Sequence, residues 1–183
     1  MSENKNSPIY LRNTLEFVTV ALEYCTLVEQ SNTLELPDFV DKATKMLPLL
    51  YLKASLLPTA IPDTDAVLEQ SVTEDMYETV QSKLVLLLGE QDSYLETFHP
   101  DMQYSDAPIA AFISENLADI YQDLGNFINL FRQGNEEVMQ EALAQCTESF
   151  KTYWGGLLLN ALKALHAVRY ADAESLFTNE EEI

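Results

Sequence analysis

Apolar side chains recur at alternating steps of three and four along most of this sequence, the period of one face of an α-helix. The longest such run covers about 106–169. Its spacing predicts two long helices joined at Gly134, one from Pro108 to about Gln133 and one from Asn135 to about Arg169. Ile109, Ile113, Leu117, Ile120, Leu124, Phe127 and Phe131 mark the inward face of the first. Asp106 is placed to cap it, Pro108 to open it, and Gly134 to end it in the left-handed conformation that glycine tolerates. Met139, Leu143, Cys146, Phe150, Tyr153, Leu157, Ala161, Leu165 and Val168 mark the second, with Asn135 as its cap. Gly155-Gly156 interrupts this run, so a bend or a close helix crossing is expected there.

Three shorter runs come first. After Ser7-Pro8, the residues Leu11, Leu15, Val18, Leu22, Cys25 and Val28 predict a helix to about Gln30. Phe39, Ala43, Leu47, Leu50, Ala54 and Leu57 keep one phase across Pro48, which predicts one continuous, kinked helix. Ser71-Val72-Thr73-Glu74 reads as a capping box, with Thr73 as an alternative cap, ahead of a helix marked by Tyr77, Val80, Leu84 and Leu87 and closed by Gly89. Residues 62–70 and 90–105 lack a period and are expected as loops, with a helical turn at 65–69 and Tyr121 at the rim of the core. The expectation is an all-α, single-domain bundle over 1–183 with about five main helices. The antiparallel hairpin at about 106–169 lies at its centre, and 1–6 and about 174–183 are flexible.

Composition narrows the function classes. Thirty acidic residues against ten basic give a formal charge of −20. That balance disfavours nucleic-acid backbones and anionic membrane surfaces, both of which need basic patches. No stretch approaches the ~20 apolar residues of a membrane span, and no secretory signal is visible, so a cytoplasmic chain with no membrane contact is expected. Cys25 and Cys146 fall on apolar stripes without a CxxC and read as buried free thiols.

Candidate chemistry is sparse. Glu96-Thr97-Phe98-His99 is a single Glu-x-x-His, where a di-metal bundle needs two, and Lys163 lies one turn before the other histidine, His166; no metal or cofactor is expected. Asn116, Asp119 and Asp123 share one side of the first long helix. They read either as a hydrogen-bonding edge or as oxygen ligands for a hard cation. Trp154 needs a partner for its indole N–H if buried, and His166 reads as a satisfied core or dipole-facing residue, or as a general base. Nucleophile, phosphate-loop and zinc signatures are absent.

The stretches EDMYETVQSKLVLLLGEQDSYLETFHP, LADIYQDLGNFINLF and FKTYWGGLLLNALKALHAV together resemble a bacterial family of domains of unknown function, numbered 5063, over most of the chain. The resemblance implies one all-helical domain of unassigned activity. It points to Tyr94, Asp119, Tyr121, Asp123, Leu124, Trp154, Gly155 and His166 as the matching positions. The residue before the tryptophan, often histidine in that family, is Tyr153 here. Two functions follow as expectations. One is a non-enzymatic interaction or regulatory module whose partner is another protein or a second copy (a homodimer). The other is a ligand-binding protein or enzyme with Tyr94, Asp119, Tyr121, Asp123, Trp154 and His166 between loop 90–105 and the hairpin.

Overall fold

The computed structural model describes residues 7–59, 61–62, 66–96, 100–104 and 107–171. The expected flexible ends, the Asp106 cap, His99, and Asp65 at the start of the expected turn lie outside the described residues. Of that turn, 66–69 carry no helix. Helices α1 (Arg12–Glu29), α2 (Leu36–Ser55) and α3 (Glu74–Leu88) are followed by a two-stranded antiparallel ribbon, β1 (Ser93–Glu96) and β2 (Ile109–Phe112). Then come α4 (Ile113–Arg132), α5 (Glu136–Ser149), a π-helical turn (Phe150–Trp154) and α6 (Gly155–Tyr170). The last three form one rod, so the all-helical bundle of five main helices stands.

α1, α2, α6 and α4 pack cyclically, and α3 lies on the outside of α4. Side-chain contacts fix the directions. Lys53 pairs with Glu16 at 2.6 Å, Tyr51 packs on Phe150, and Arg169 pairs with Asp41, so α2 runs against both α1 and α6. Phe17 meets Phe127, and the Tyr24 hydroxyl donates to the Leu117 carbonyl at 2.8 Å, so α1 runs against α4. Trp154 is wholly buried where these helices meet, 4.7 Å from the Phe150 ring and 6.4 Å from Phe17; its indole N–H donates to the Cys146 carbonyl.

The six-residue stripe of α2 is buried throughout and the helix continues through Pro48. Both cysteines are buried and free. Elsewhere the pattern is corrected. The first long helix begins at Ile113 rather than Pro108, because 109–112 pair with 93–96 as β2. Its cap is also remote. Asp92 accepts from the Ser114 N–H and hydroxyl, each at 2.7 Å, and the Ile113 N–H donates to the Asp92 carbonyl. In α1 the buried face is Thr14, Phe17, Ala21, Tyr24, Cys25 and Val28, while Leu11, Leu15 and Leu22 are exposed. Both sets have helical spacing; the aromatic set wins because Phe17 and Tyr24 have partners on α4. Tyr121 is buried rather than at the rim, with its hydroxyl donating to Glu29. Thr73 caps α3, while Ser71 is gripped by Asn126 and Asn129 of α4.

The second half of the hairpin carries the largest phase change. A π turn adds one residue to the winding. From Phe150 the buried positions therefore step to Trp154, Leu158, Ala161 and Leu165, and Tyr153 swings outward to half exposure instead of facing the core. Gly155 is required there, since a Cβ would stand 2.4 Å from the Phe150 carbonyl oxygen, whereas one at Gly156 would meet nothing within 4 Å. Urea unfolding of Gly156→Ala is expected to show a gain of roughly 0.5–1 kcal/mol from helix propensity. Gly155→Ala is expected to lose about 1–3 kcal/mol by overpacking. In the same assay Asp92→Ala is expected to cost about 1–3 kcal/mol, because two donors at the start of α4 lose their acceptor.

Candidate functional site

The polar side of α4 is built by sequence spacing. Asn116, Asp119, Asp123 and Asn126 recur at three and four, and each takes its partner from a different element. The Asn116 amide donates to the Tyr94 hydroxyl of β1 at 2.5 Å. Asp119 accepts at both oxygens, from Tyr77 of α3 and from Tyr153 of the π turn, each at 2.8 Å. Ser149 of α5 donates to Asp123 at 2.6 Å. The Asn126 side-chain oxygen accepts from the Ser71 and Val72 N–H groups, both at 2.8 Å. The carboxylates of this edge are thus engaged by neighbouring hydroxyls, Asp119 at both oxygens and Asp123 at one.

Electrostatics follow the same geometry. The phenols of Tyr77 and Tyr153 are pushed up, first by burial and then by the hydrogen bond each donates to the Asp119 carboxylate. Burial also raises Tyr94, against the pull of Asn116. The Asp123 carboxyl is raised by burial, opposed by the Ser149 hydrogen bond.

Of the residues singled out in the sequence, the structure brings Asp119 into contact with Tyr153 and sets Tyr94 and Asp123 along the same edge. Tyr121 points away to Glu29, Trp154 is core, and His166 lies elsewhere. Asp123 and Ser149 border a depression of about 190 Å³ with Leu68, Asn126 and Gln145. Tyr94, Glu96, Asn160 and Lys163 border another of about 180 Å³, in which Asn160 donates to Glu96 at 3.1 Å. Among the described residues, no group of three or more His, Cys, Asp and Glu is arranged to hold a metal ion, and no helix is long and apolar enough to cross a membrane.

His166 is exposed rather than in the core. It lies on a groove of about 460 Å³ between α2 and α6, lined by Thr44 and Pro48 on one side and Leu159, Leu162, Lys163, His166, Arg169 and Tyr170 on the other. Arg169 is held by Thr44 at 2.5 Å and by Asp41. Lys163 and His166 make no hydrogen bond or ion pair among the described residues; the His166 ring centre lies 4.7 Å from that of Tyr170. Outside the groove lining, Leu49 and Leu52 of α2 and Leu56 just after it are 42, 51 and 46% exposed. Sequence reasoning passed over this groove. The available signal was α6 itself, which has no acidic residue and places Lys163, His166 and Arg169 at steps of three.

Stability at alkaline pH tests the tyrosine–carboxylate contacts. A phenol raised in the folded chain contributes stability below the unfolded value of ~10, which is lost as pH rises toward the folded value. Urea midpoints measured from pH 9 upward are expected to fall, and Tyr77→Phe and Tyr153→Phe are each expected to flatten that fall.

A family model described as Domain of unknown function (DUF5063) matches residues 8–171. The crystal structure of protein BF1032 from Bacteroides fragilis is similar to this chain, with 43% sequence identity and a TM-score of 0.81, over 90% of this chain and 97% of that one. No curated protein matches the chain.

Proposed function

The chain belongs to the DUF5063 family, and on that premise we propose that it is a non-enzymatic interaction module that receives a protein partner in the groove between α2 and α6. The observation that carries this reading is the contrast between two polar regions. Along the inner polar edge of α4, Asn116, Asp119, Asp123 and Asn126 each already have an internal partner. In the α2–α6 groove Lys163 and His166 have no hydrogen bond or ion pair among the described residues, and they stand beside apolar surface from Pro48, Leu159 and Leu162. Single exposed leucines are ordinary, but grouped apolar surface beside unengaged polar groups marks contact sites.

The depression at Tyr94, Glu96 and Asn160 supports a second reading, a small-ligand site or enzyme. Its volume of about 180 Å³ is below the ~300–1,000 Å³ of ordinary ligand pockets. Its Glu96 and Asn160 also already satisfy each other.

The test is capture from the native cell with the tagged chain and with Leu52→Asp/Leu159→Asp, both changes being at exposed positions. One protein recovered at near-equimolar yield by the wild type, and at least tenfold less by a variant of unchanged helical content, is the expected result. Equal recovery by the variant, or no equimolar protein, overturns the reading.

A further inference from the structure

The groove also carries a statement about the chemistry of its occupant. The chain as a whole is strongly acidic, yet α2 and α6 together hold Lys42, Lys45, Lys53, Lys163 and Arg169 against only Asp38 and Asp41. Half of the basic residues of the sequence are therefore gathered on two neighbouring helices. α3, α4 and α5 carry ten acidic residues against two basic. By these counts the two helices that border the groove are net positive and α3, α4 and α5 net negative; Lys53 is turned to Glu16 of α1, and Lys45 and Arg169 share Asp41, which leaves Lys163 as the lining cation without an ion pair among the described residues.

Resting on the interaction-module reading, we infer that the α2–α6 groove docks an acidic amphipathic helix of a partner protein. The floor supplies apolar contact from Pro48, Leu159 and Leu162, and the α6 rim supplies Lys163, His166 and Arg169. A rim at steps of three along one helix faces a second rod laid beside it, since an i, i+3 row stays on one side of a helix. At ~1.5 Å per residue the sixteen residues of α6 offer a bed of about 24 Å, room for some four turns of a partner helix. Leucine-type anchors at i, i+3, i+4 and i+7 fit such a groove, as in other helix-in-groove recognition. Glutamates flanking them meet Lys163, a cation with no internal partner among the described residues. Pro48 adds a further feature. It cannot donate an N–H to the Thr44 carbonyl one turn back, so that oxygen lacks its helical donor on a residue that borders the groove.

Other occupants fit less well. An anionic bilayer would bring its surface charge against the whole chain, of charge −20, whereas a helix laid in the groove meets a lining that holds Lys163, His166 and Arg169 and no acidic residue. A second copy would bring the same net charge to the contact.

The experiment is selection from a displayed library of randomised 16-residue peptides against the full chain, followed by fluorescence anisotropy on the enriched sequences. The expected winners are net negative with apolar residues at i, i+3, i+4 and i+7. Their binding is expected to weaken at least tenfold in Lys163→Glu/His166→Glu, less in Lys163→Gln/His166→Gln, and with rising ionic strength. Net basic winners, or winners that bind the Glu variant equally well, overturn the inference, as does a library that yields none. Co-sedimentation with phosphatidylglycerol vesicles that the Glu variant abolishes would assign the groove to a membrane instead. A dimer of the chain alone that the same variant dissolves would assign it to a second copy. If the peptides fail while Leu52→Asp/Leu159→Asp still loses its captured protein, the acidic helix falls and the interaction module stands.

Discussion

The wide turn at Phe150–Trp154 is the constraint to which the rest of the bundle is fitted. A π turn leaves a looser helix interior and poorer hydrogen-bond geometry than an α turn, so it persists only where packing favours it. Here Trp154 fills the junction of α1, α4 and α6, stacked on Phe17 and tilted against Phe150. The missing side chain at Gly155 admits the Phe150 carbonyl, which accepts the Gly155 N–H. An unbroken α-helix would carry Tyr153 inward, as the regular spacing predicts. The extra residue instead turns Tyr153 out to Asp119 and leaves α6 in the phase that faces α2. The core, the hydrogen-bonded edge of α4 and the groove all depend on that one change of winding.

What could be read from the sequence divides along the same line. Local period and local chemistry were sufficient for α2, whose stripe survives Pro48, for the inward face of α4 from Ile113 onward, and for the Asn135 cap, which accepts from the Glu137 and Val138 N–H groups. They were insufficient wherever a distant residue decides. The start of α4 is set by Asp92, twenty-two positions before the Ser114 it holds. The ribbon of 93–96 and 109–112 pairs two short segments, neither of which alternates cleanly. In α1 two apolar faces compete at the same period, and only the aromatic partners on α4 choose between them. The polar triad Asn116, Asp119 and Asp123 was visible as a row; its tyrosine and serine partners, from four other elements, were not.

That row has a structural meaning of its own. A carboxylate set among helices carries a desolvation cost, which the donated hydroxyls of Tyr77, Tyr153 and Ser149 offset. Sliding α4 by one position against α3 or the α5–α6 rod would separate those donors from their acceptors, so the row fixes how the rods sit lengthwise where apolar contact alone would be permissive. Polar residues engaged in this way are spent on the fold. Lys163 and His166 on α6 make no such hydrogen bond or ion pair among the described residues, so the register of the rods does not draw on them.

The two thiols are built into the packing in a way that has a practical side. Cys25 of α1 and Cys146 of α5 are 5 and 6% exposed, and burial pushes both thiols up, Cys25 to about 12. Alkylating reagents attack the thiolate, so neither sulfur reacts while the helices stay closed. Each sulfur is therefore a native clock on its own rod: the rate at which it is captured reports how often that helix parts from its neighbours, with no label added to the molecule.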